Sequence, residues 1–241
     1  MRLLVTGSTG RMGRTLLPLL PTEWEVIAPR RPAVDLTRPE TLDALFAAHQ
    51  PEVVLHLAAY TDVARAERER EVCWRVNVEG TRALARRAPG WFVHLSTDYV
   101  FDGERGMYRE EDLPNPKNFY ALSKTVGEEA ARQAPRPLIV RTSFKTAPWP
   151  YPRAFVDQFT SADYVDVIAR ELLVLLRNLE RLPRAVEVLH IATERKSVYD
   201  LARRRTPSVQ PMQRAEAPVY IPPDVSLDTT RWQQLKAGWG S

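Results

Sequence analysis

Cysteine is nearly missing from this chain. Cys73 is the only one in 241 residues, which excludes an internal disulfide and points to a reducing compartment. It reads as a buried thiol on a helix. Long apolar runs are missing too: none approaches the roughly 20 residues that a membrane span needs. The first residues pattern as a strand rather than a signal peptide. A cytoplasmic location with no membrane partner is the expectation. The four histidines, His49, His56, His94 and His190, lack metal-ligand spacing, so no metal is expected. His56 and His94 read instead as strand residues with satisfied ring nitrogens. Charge of one sign is not strongly in excess, since the net is +4. The basic runs at 86–87 and 203–205 sit among 30 acidic residues with no recognition motif beside them, so nucleic acid is not an expected partner.

What the sequence does hold is 44% hydrophobic residues, enough for a sizeable core. Residues 2–6 form a short apolar run that stops at Gly7, as a buried parallel strand does. Gly10 and Gly13 follow, then a helical pattern opens at Thr15. Strand, glycine turn and helix in that order build a phosphate-binding device. The missing side chains admit a pyrophosphate to the backbone, and the helix start offers unpaired N–H groups. Residues 25–28 are a second strand. Arg30 and Arg31 follow it where an NAD-preferring site often has an acid, which favours a 2′-phosphate and hence NADPH, with NADH the alternative. Thr37 to Glu40 has capping-box spacing, predicting a helix over 38–49. Asp35 and Leu36, just before it, lie where the chain could pass the adenine.

Residues 52–59 form a third strand, and 62–87 a charge-rich helix with Val72, Val76 and Leu84 at apolar positions. A fourth strand over 91–95 delivers Ser96, Thr97 and Asp98 at its C-terminal end, where ligands bind in open parallel sheets. Residues 100–118 read as a loop. The helix over 119–133 places Tyr120 and Lys124 on one face, one turn apart. A neighbouring ammonium favours phenolate over phenol and should pull the tyrosine pKa down from about 10, as proton transfer to a carbonyl requires. A strand over 137–141 completes the pattern. Strands separated by helices predict an α/β fold, a doubly wound, Rossmann-like parallel sheet.

Beyond Phe144 the pattern changes. A proline-aromatic stretch over 148–152 cannot be helix or central strand. An apolar helix is expected over about 162–181, packing back on the sheet. A strand over 186–192, a short helix over 197–205 and an irregular tail follow. The expected division is a dinucleotide-binding domain over 1–145 and a reduced substrate lobe over 146–241.

These residues resemble an extended short-chain dehydrogenase/reductase, most closely the dTDP-4-dehydrorhamnose reductase group. The matching stretches are 6–13, 57–61 with Ala66 and Glu67, 76–77, 95–103, 120–124 with Gly127 and Glu128, and 141–143. The run Ser-Thr-Asp-Tyr-Val-Phe-Asp-Gly over 96–103 is the most specific of them. The resemblance implies that Tyr120 gives the proton, Lys124 holds the nicotinamide ribose and Thr97 meets the substrate carbonyl. It puts Gly7, Gly10, Arg11, Met12 and Gly13 at the pyrophosphate. Arg30, Asp35 and Leu36 fall at the adenosine, and Leu57, Ala58, Ala59, Tyr60 and Asn77 in the middle of the dinucleotide. Asp98 and Phe144 fall on the substrate side. Nucleotide-sugar dehydratases follow the threonine with Asp-Glu. Here Tyr99 follows Asp98, so elimination lacks a second carboxylate and carbonyl reduction is implied. Phe144 stands where the group usually has Trp, and Ala64 where it has Asp. The segment between 144 and 157 is shorter than in the group.

The expected function is NAD(P)H-dependent reduction of a keto-sugar, nucleotide-linked. Two alternatives stay open: a non-enzymatic dinucleotide-binding regulatory subunit, and a nucleotide-sugar epimerase with tightly held NAD. A homodimer is compatible with the sequence.

Overall fold

In this computed structural model β1 is Arg2–Thr6, β2 Glu25–Ile27, β3 Val53–His56, β4 Trp91–Thr97 and β5 Arg136–Thr142. The structure describes residues 1–30 and 34–240; Arg31 lies outside the described residues. With an edge strand Val188–His190, these five form one six-stranded sheet. Its order is Val188–His190, β5, β4, β3, β1, β2, and every pair is parallel. The chain reverses direction of growth between β1 and β3, which leaves a crevice at their C-terminal ends.

Both faces of the sheet are covered, and side chains alternate between them with a period of two. Leu3, Val5, Leu55, Val93 and Val140 face one way, onto α1 (Arg11–Leu16) and the helix Val165–Arg177. Leu4, Val54, Phe92 and Ile139 face the other, onto α2 (Pro39–His49) and Leu84 and Ala131 of the neighbouring helices. Each such side chain, fully buried, contributes roughly 1.5–3 kcal/mol. The expected doubly wound parallel sheet is therefore present, and its last strand comes from beyond residue 145.

Several expected elements differ. The helix over 62–87 is four pieces: Val63–Ala66, Arg70–Trp74, a π-helical turn Arg75–Gly80 and Thr81–Ala85. The first break falls where the Glu69 carboxylate accepts from Tyr60 Oη and from Arg65. The wide turn aims the Asn77 side chain out of the helix at the Tyr60 backbone, the kind of use to which π-bulges are put. Val72 is not a core position but 49% exposed. Thr37 does not cap α2; its hydroxyl donates to Asp35 and the N-cap is Arg38.

The helix expected over 162–181 begins at Val165, because Asp163–Tyr164 pairs as a strand with Phe144–Lys145. It ends at Arg177; Asn178 turns its side chain back to the Val174 carbonyl, and Leu179–Arg181 is a 3₁₀ turn. The strand expected over 186–192 is Val188–His190, and the helix expected over 197–205 is Val198–Arg203, capped by the Ser197 hydroxyl. The tail is not irregular throughout. Thr230–Trp239 is a helix, held by fully buried Trp232, whose indole N–H donates to Glu171.

Candidate active site

A cavity of about 840 Å³ follows the C-terminal edge of β1, β3 and β4. Its floor is the turn after β1. Gly7 has φ +72°, and a Cβ there would lie 2.6 Å from the Ala58 nitrogen; one on Gly13 would lie 2.5 Å from the Gly7 carbonyl oxygen. Side chains at these two positions would separate the turn from β3 and from α1, so only glycine lets the three meet. Gly10 caps α1 with no side chain on the helix N–H groups, and Arg11 and Met12 line the cavity beside it.

Leu57, Ala58, Ala59 and Tyr60 form the wall beyond β3, and Arg30 and Leu36 the wall beyond β2. Asp35 and Asn77, expected as direct cofactor contacts, do not line the cavity. Asp35 accepts from the Thr37 amide and hydroxyl and shapes the turn that presents Leu36. Asn77 is buried and bonds both the amide and the carbonyl of Tyr60, at 2.7 and 3.1 Å, so it positions that wall from behind.

At the other end of the cavity β4 delivers Thr97 and Asp98, and the helix Phe119–Ala131 delivers Tyr120 and Lys124. Asn118 caps that helix through the Ala121 amide, which fixes its first turn and hence Tyr120. Tyr120 and Thr97 line the cavity together, and the Thr97 hydroxyl donates to Asp98 Oδ1 at 3.1 Å. The expectation that Lys124 lowers the tyrosine pKa is not met here. Burial, and then the Asp98 carboxylate, push the Tyr120 phenol above its ordinary value, against the downward pull of the Thr97 hydroxyl. Lys124 instead donates to the Leu95 carbonyl at 2.8 Å and meets His94 Nε2 at 3.2 Å. Burial lowers the Lys124 ammonium to about 8.

Asp98 is buried, and that burial raises its carboxyl to about 6 against the pull of Lys145, Thr97 and Ser143. Lys145 and Ser143 were not foreseen from sequence. Lys145 follows Phe144 on a two-residue strand whose pairing with Asp163–Tyr164 aims it at the cavity, and nothing local signals that. The Phe144 ring lines the cavity under Arg11, whose guanidinium carbon is 5.8 Å from the ring centre.

A second cavity of about 470 Å³ shares Asp98, Tyr99, Ser143 and Lys145 with the first. The proline-aromatic stretch forms part of its wall: Trp149 is anchored by its backbone N–H to Thr206 Oγ1 and packs edge-on to Tyr151. Of the two strand histidines, His56 is satisfied at both nitrogens by Thr6 and Thr81. His94 is not: its Nδ1 is buried without a partner. Among the described residues no cluster of His, Cys, Asp or Glu could hold a metal, and no helix is long and apolar enough to cross a membrane.

Comparison with known proteins places these features in a family. The model of the RmlD substrate binding domain matches residues 1–147. A dTDP-4-dehydrorhamnose reductase of Aggregatibacter actinomycetemcomitans is 38% identical over 150 residues, 59% of this chain and 51% of that protein. The chain spans about half the length of the curated relatives it matches. Among solved structures, a hypothetical dTDP-4-dehydrorhamnose reductase from Sulfolobus tokodaii is 33% identical with a TM-score of 0.83. The match covers 97% of this chain and 94% of that one. The enzyme from Bacillus anthracis, solved in complex with NADP, is 26% identical with a TM-score of 0.83, covering 97% of this chain and 91% of that one. By sequence and by fold, the chain belongs to the family of the RmlD substrate binding domain.

Proposed function

We propose that this chain is an NADPH-dependent reductase of a ketone on a nucleotide-linked sugar, of the dTDP-4-dehydrorhamnose type. The observation that carries the reading is that Thr97, Tyr120 and Lys124 line the same cleft as the Gly7–Gly13 turn. The bare backbone at Gly7 and Gly13, in contact with β3 and α1, fits a pyrophosphate. The B. anthracis relative in complex with NADP supports the choice of cofactor. Arg30, exposed at the β2 end of the cavity, suits a 2′-phosphate.

The nicotinamide, when bound, supplies the hydride. Tyr120 donates its proton to the carbonyl oxygen, and the Thr97 hydroxyl, in the same cavity wall, orients that oxygen. The phenol is protonated at neutral pH, the form an acid needs, and burial makes it a weaker donor than a free phenol. Lys124, on the next turn, adds positive charge where phenolate forms. The helix Val165–Arg177 and the edge strand Val188–His190 belong to the layers of the central sheet. The parts of 146–241 outside them serve as the substrate lobe, and the second cavity receives the part of the substrate beyond the sugar. Relatives named as dTDP-4-dehydrorhamnose reductases support the class of substrate.

Purified protein mixed with NADPH and a dTDP-4-keto-6-deoxyhexose should lose the nicotinamide absorbance. Tyr120→Phe should slow that loss by about 10²–10⁴-fold, the usual contribution of a positioned acid. A variant as fast as wild type would refute the assignment.

A further inference from the structure

His94 lies behind the cavity, fully buried on β4, and lines neither cavity. Its Nε2 is nevertheless 3.2 Å from the Lys124 ammonium. An ammonium has three donors and no lone pair, so Nε2 must accept. That places the ring proton on Nδ1, which is buried and has no partner. The orphaned donor is a cost that phenylalanine or leucine in the same space would not carry. Its counterpart is the lone pair offered to Lys124.

The surroundings leave Lys124 few other acceptors. Glu128, one turn further along the same helix, is taken by Arg141 at 2.8 and 3.0 Å and by Ser96 at 2.6 Å. Cys73, from the helix Arg70–Trp74, bonds Ser123 instead. His56, from β3, has its ring 5.2 Å from that of His94 and is bonded on both sides. Burial, with Lys124 nearby, holds both imidazoles neutral. Gly127 lets the helix press close, since a Cβ there would lie 2.7 Å from the Asn77 carbonyl oxygen and 3.7 Å from His94 Nε2. Among the described residues only His94 and the Leu95 carbonyl bond Lys124. Both stand on β4, one residue apart.

We propose that His94 is a positioning residue for the reaction: its neutral Nε2, with the Leu95 carbonyl, clamps the Lys124 ammonium in place one helical turn from Tyr120 and keeps it charged. The inference rests on the role given to Lys124 above. Two of the three ammonium donors are committed to β4, and one N–H is left for the cavity that Lys124 lines.

The test is the pH profile of kcat/KM with NADPH and the keto-sugar, for wild type, His94→Phe, His94→Asn and Lys124→Met. His94→Phe fills the ring's volume and removes the acceptor, so the charged form of Lys124 loses a partner. Its alkaline limb should move about one pH unit towards acid, with kcat/KM about fivefold lower near pH 8. His94→Asn offers a side-chain oxygen and should return the limb towards its wild-type position. A His94→Phe enzyme with the wild-type limb and kcat/KM overturns the proposal. So does one that only melts earlier, because packing alone does not move a titration. Should His94→Phe fail to fold, His94→Leu is read by the same limb. Lys124→Met separates the two levels. Wild-type activity in that variant removes the role of Lys124 and this inference with it, whereas its inactivity beside an unaltered His94→Phe overturns the inference alone.

Discussion

Replacing Gly7 with alanine should damage stability and cofactor binding together, because one methyl group strikes two kinds of constraint. The first is conformational. Gly7 has φ +72°, and a residue with a Cβ pays about 1–2 kcal/mol to stay in that left-handed region. The second is steric. The new carbon would sit 2.6 Å from the Ala58 nitrogen and 2.8 Å from both the Ala58 Cα and the Leu57 carbonyl carbon. All three are backbone atoms of the chain leaving β3, so no side chain can swing aside. The turn and the strand end must separate by several tenths of an ångström, and overpacking of this kind costs about 1–3 kcal/mol. The total is roughly 2–5 kcal/mol, or about 4–20 °C of Tm for a chain of this length. The same separation moves the floor of the cavity, so NADPH affinity should fall at least tenfold. Thermal unfolding followed by circular dichroism, and NADPH titration by fluorescence, read the two effects. Gly10→Ala is the control: its Cβ would meet nothing closer than the Gly7 carbonyl oxygen at 3.2 Å, and its φ is −73°. A Gly7→Ala protein that melts within about 2 °C of wild type, a shift below about 1 kcal/mol, and binds NADPH equally well would refute the reasoning.

Asp98 has a folded pKa raised from 3.8 to about 6, so its contribution to stability is fully present below about pH 4 and lost as pH rises through 6. Asp98→Asn should therefore gain stability relative to wild type at pH 7–8, by up to about 3 kcal/mol, and gain none near pH 4; denaturation midpoints that keep the same difference at both pH values would contradict this. Arg141→Met leaves the buried Glu128 carboxylate, among the described residues, hydrogen-bonded by Ser96 alone, and breaking such a pair costs about 3–5 kcal/mol in urea unfolding. A loss under about 1 kcal/mol would mean that water reaches Glu128. Arg30→Glu should weaken NADPH at least tenfold relative to NADH in paired titrations, and a wild-type protein that prefers NADH would overturn the assignment of Arg30.

The glycine turn and the Tyr120–Lys124 pair were legible because their geometry is local. A strand that stops at Gly7 and restarts as a helix by Thr15 allows few arrangements, and four residues along a helix always share a face. The helix breaks after Ala66 and at the π turn were not legible. They depend on Glu69 reaching Tyr60 and on Asn77 reaching the Tyr60 backbone, contacts that no helical propensity encodes. The C-terminal helix was missed for a similar reason. Thr230–Trp239 has little apolar periodicity of its own, and its stability comes from burying Trp232 against Glu171 of another helix. Lys145 and Ser143 escaped notice because only the pairing of Phe144–Lys145 with Asp163–Tyr164 turns them towards Asp98.

Sequence alone thus determined the parallel sheet, the glycine turn and the helix face that Tyr120 shares with Lys124, since each follows from spacing along the chain. The tertiary structure alone decided the electrostatics. Tyr120 is raised rather than lowered because burial and Asp98 outweigh an ammonium that spends its hydrogen bonds on His94 and Leu95. Burial and partner choice depend on residues brought together from β4, from the helix Phe119–Ala131 and from the segment after β5, and no spacing along one strand or helix records them.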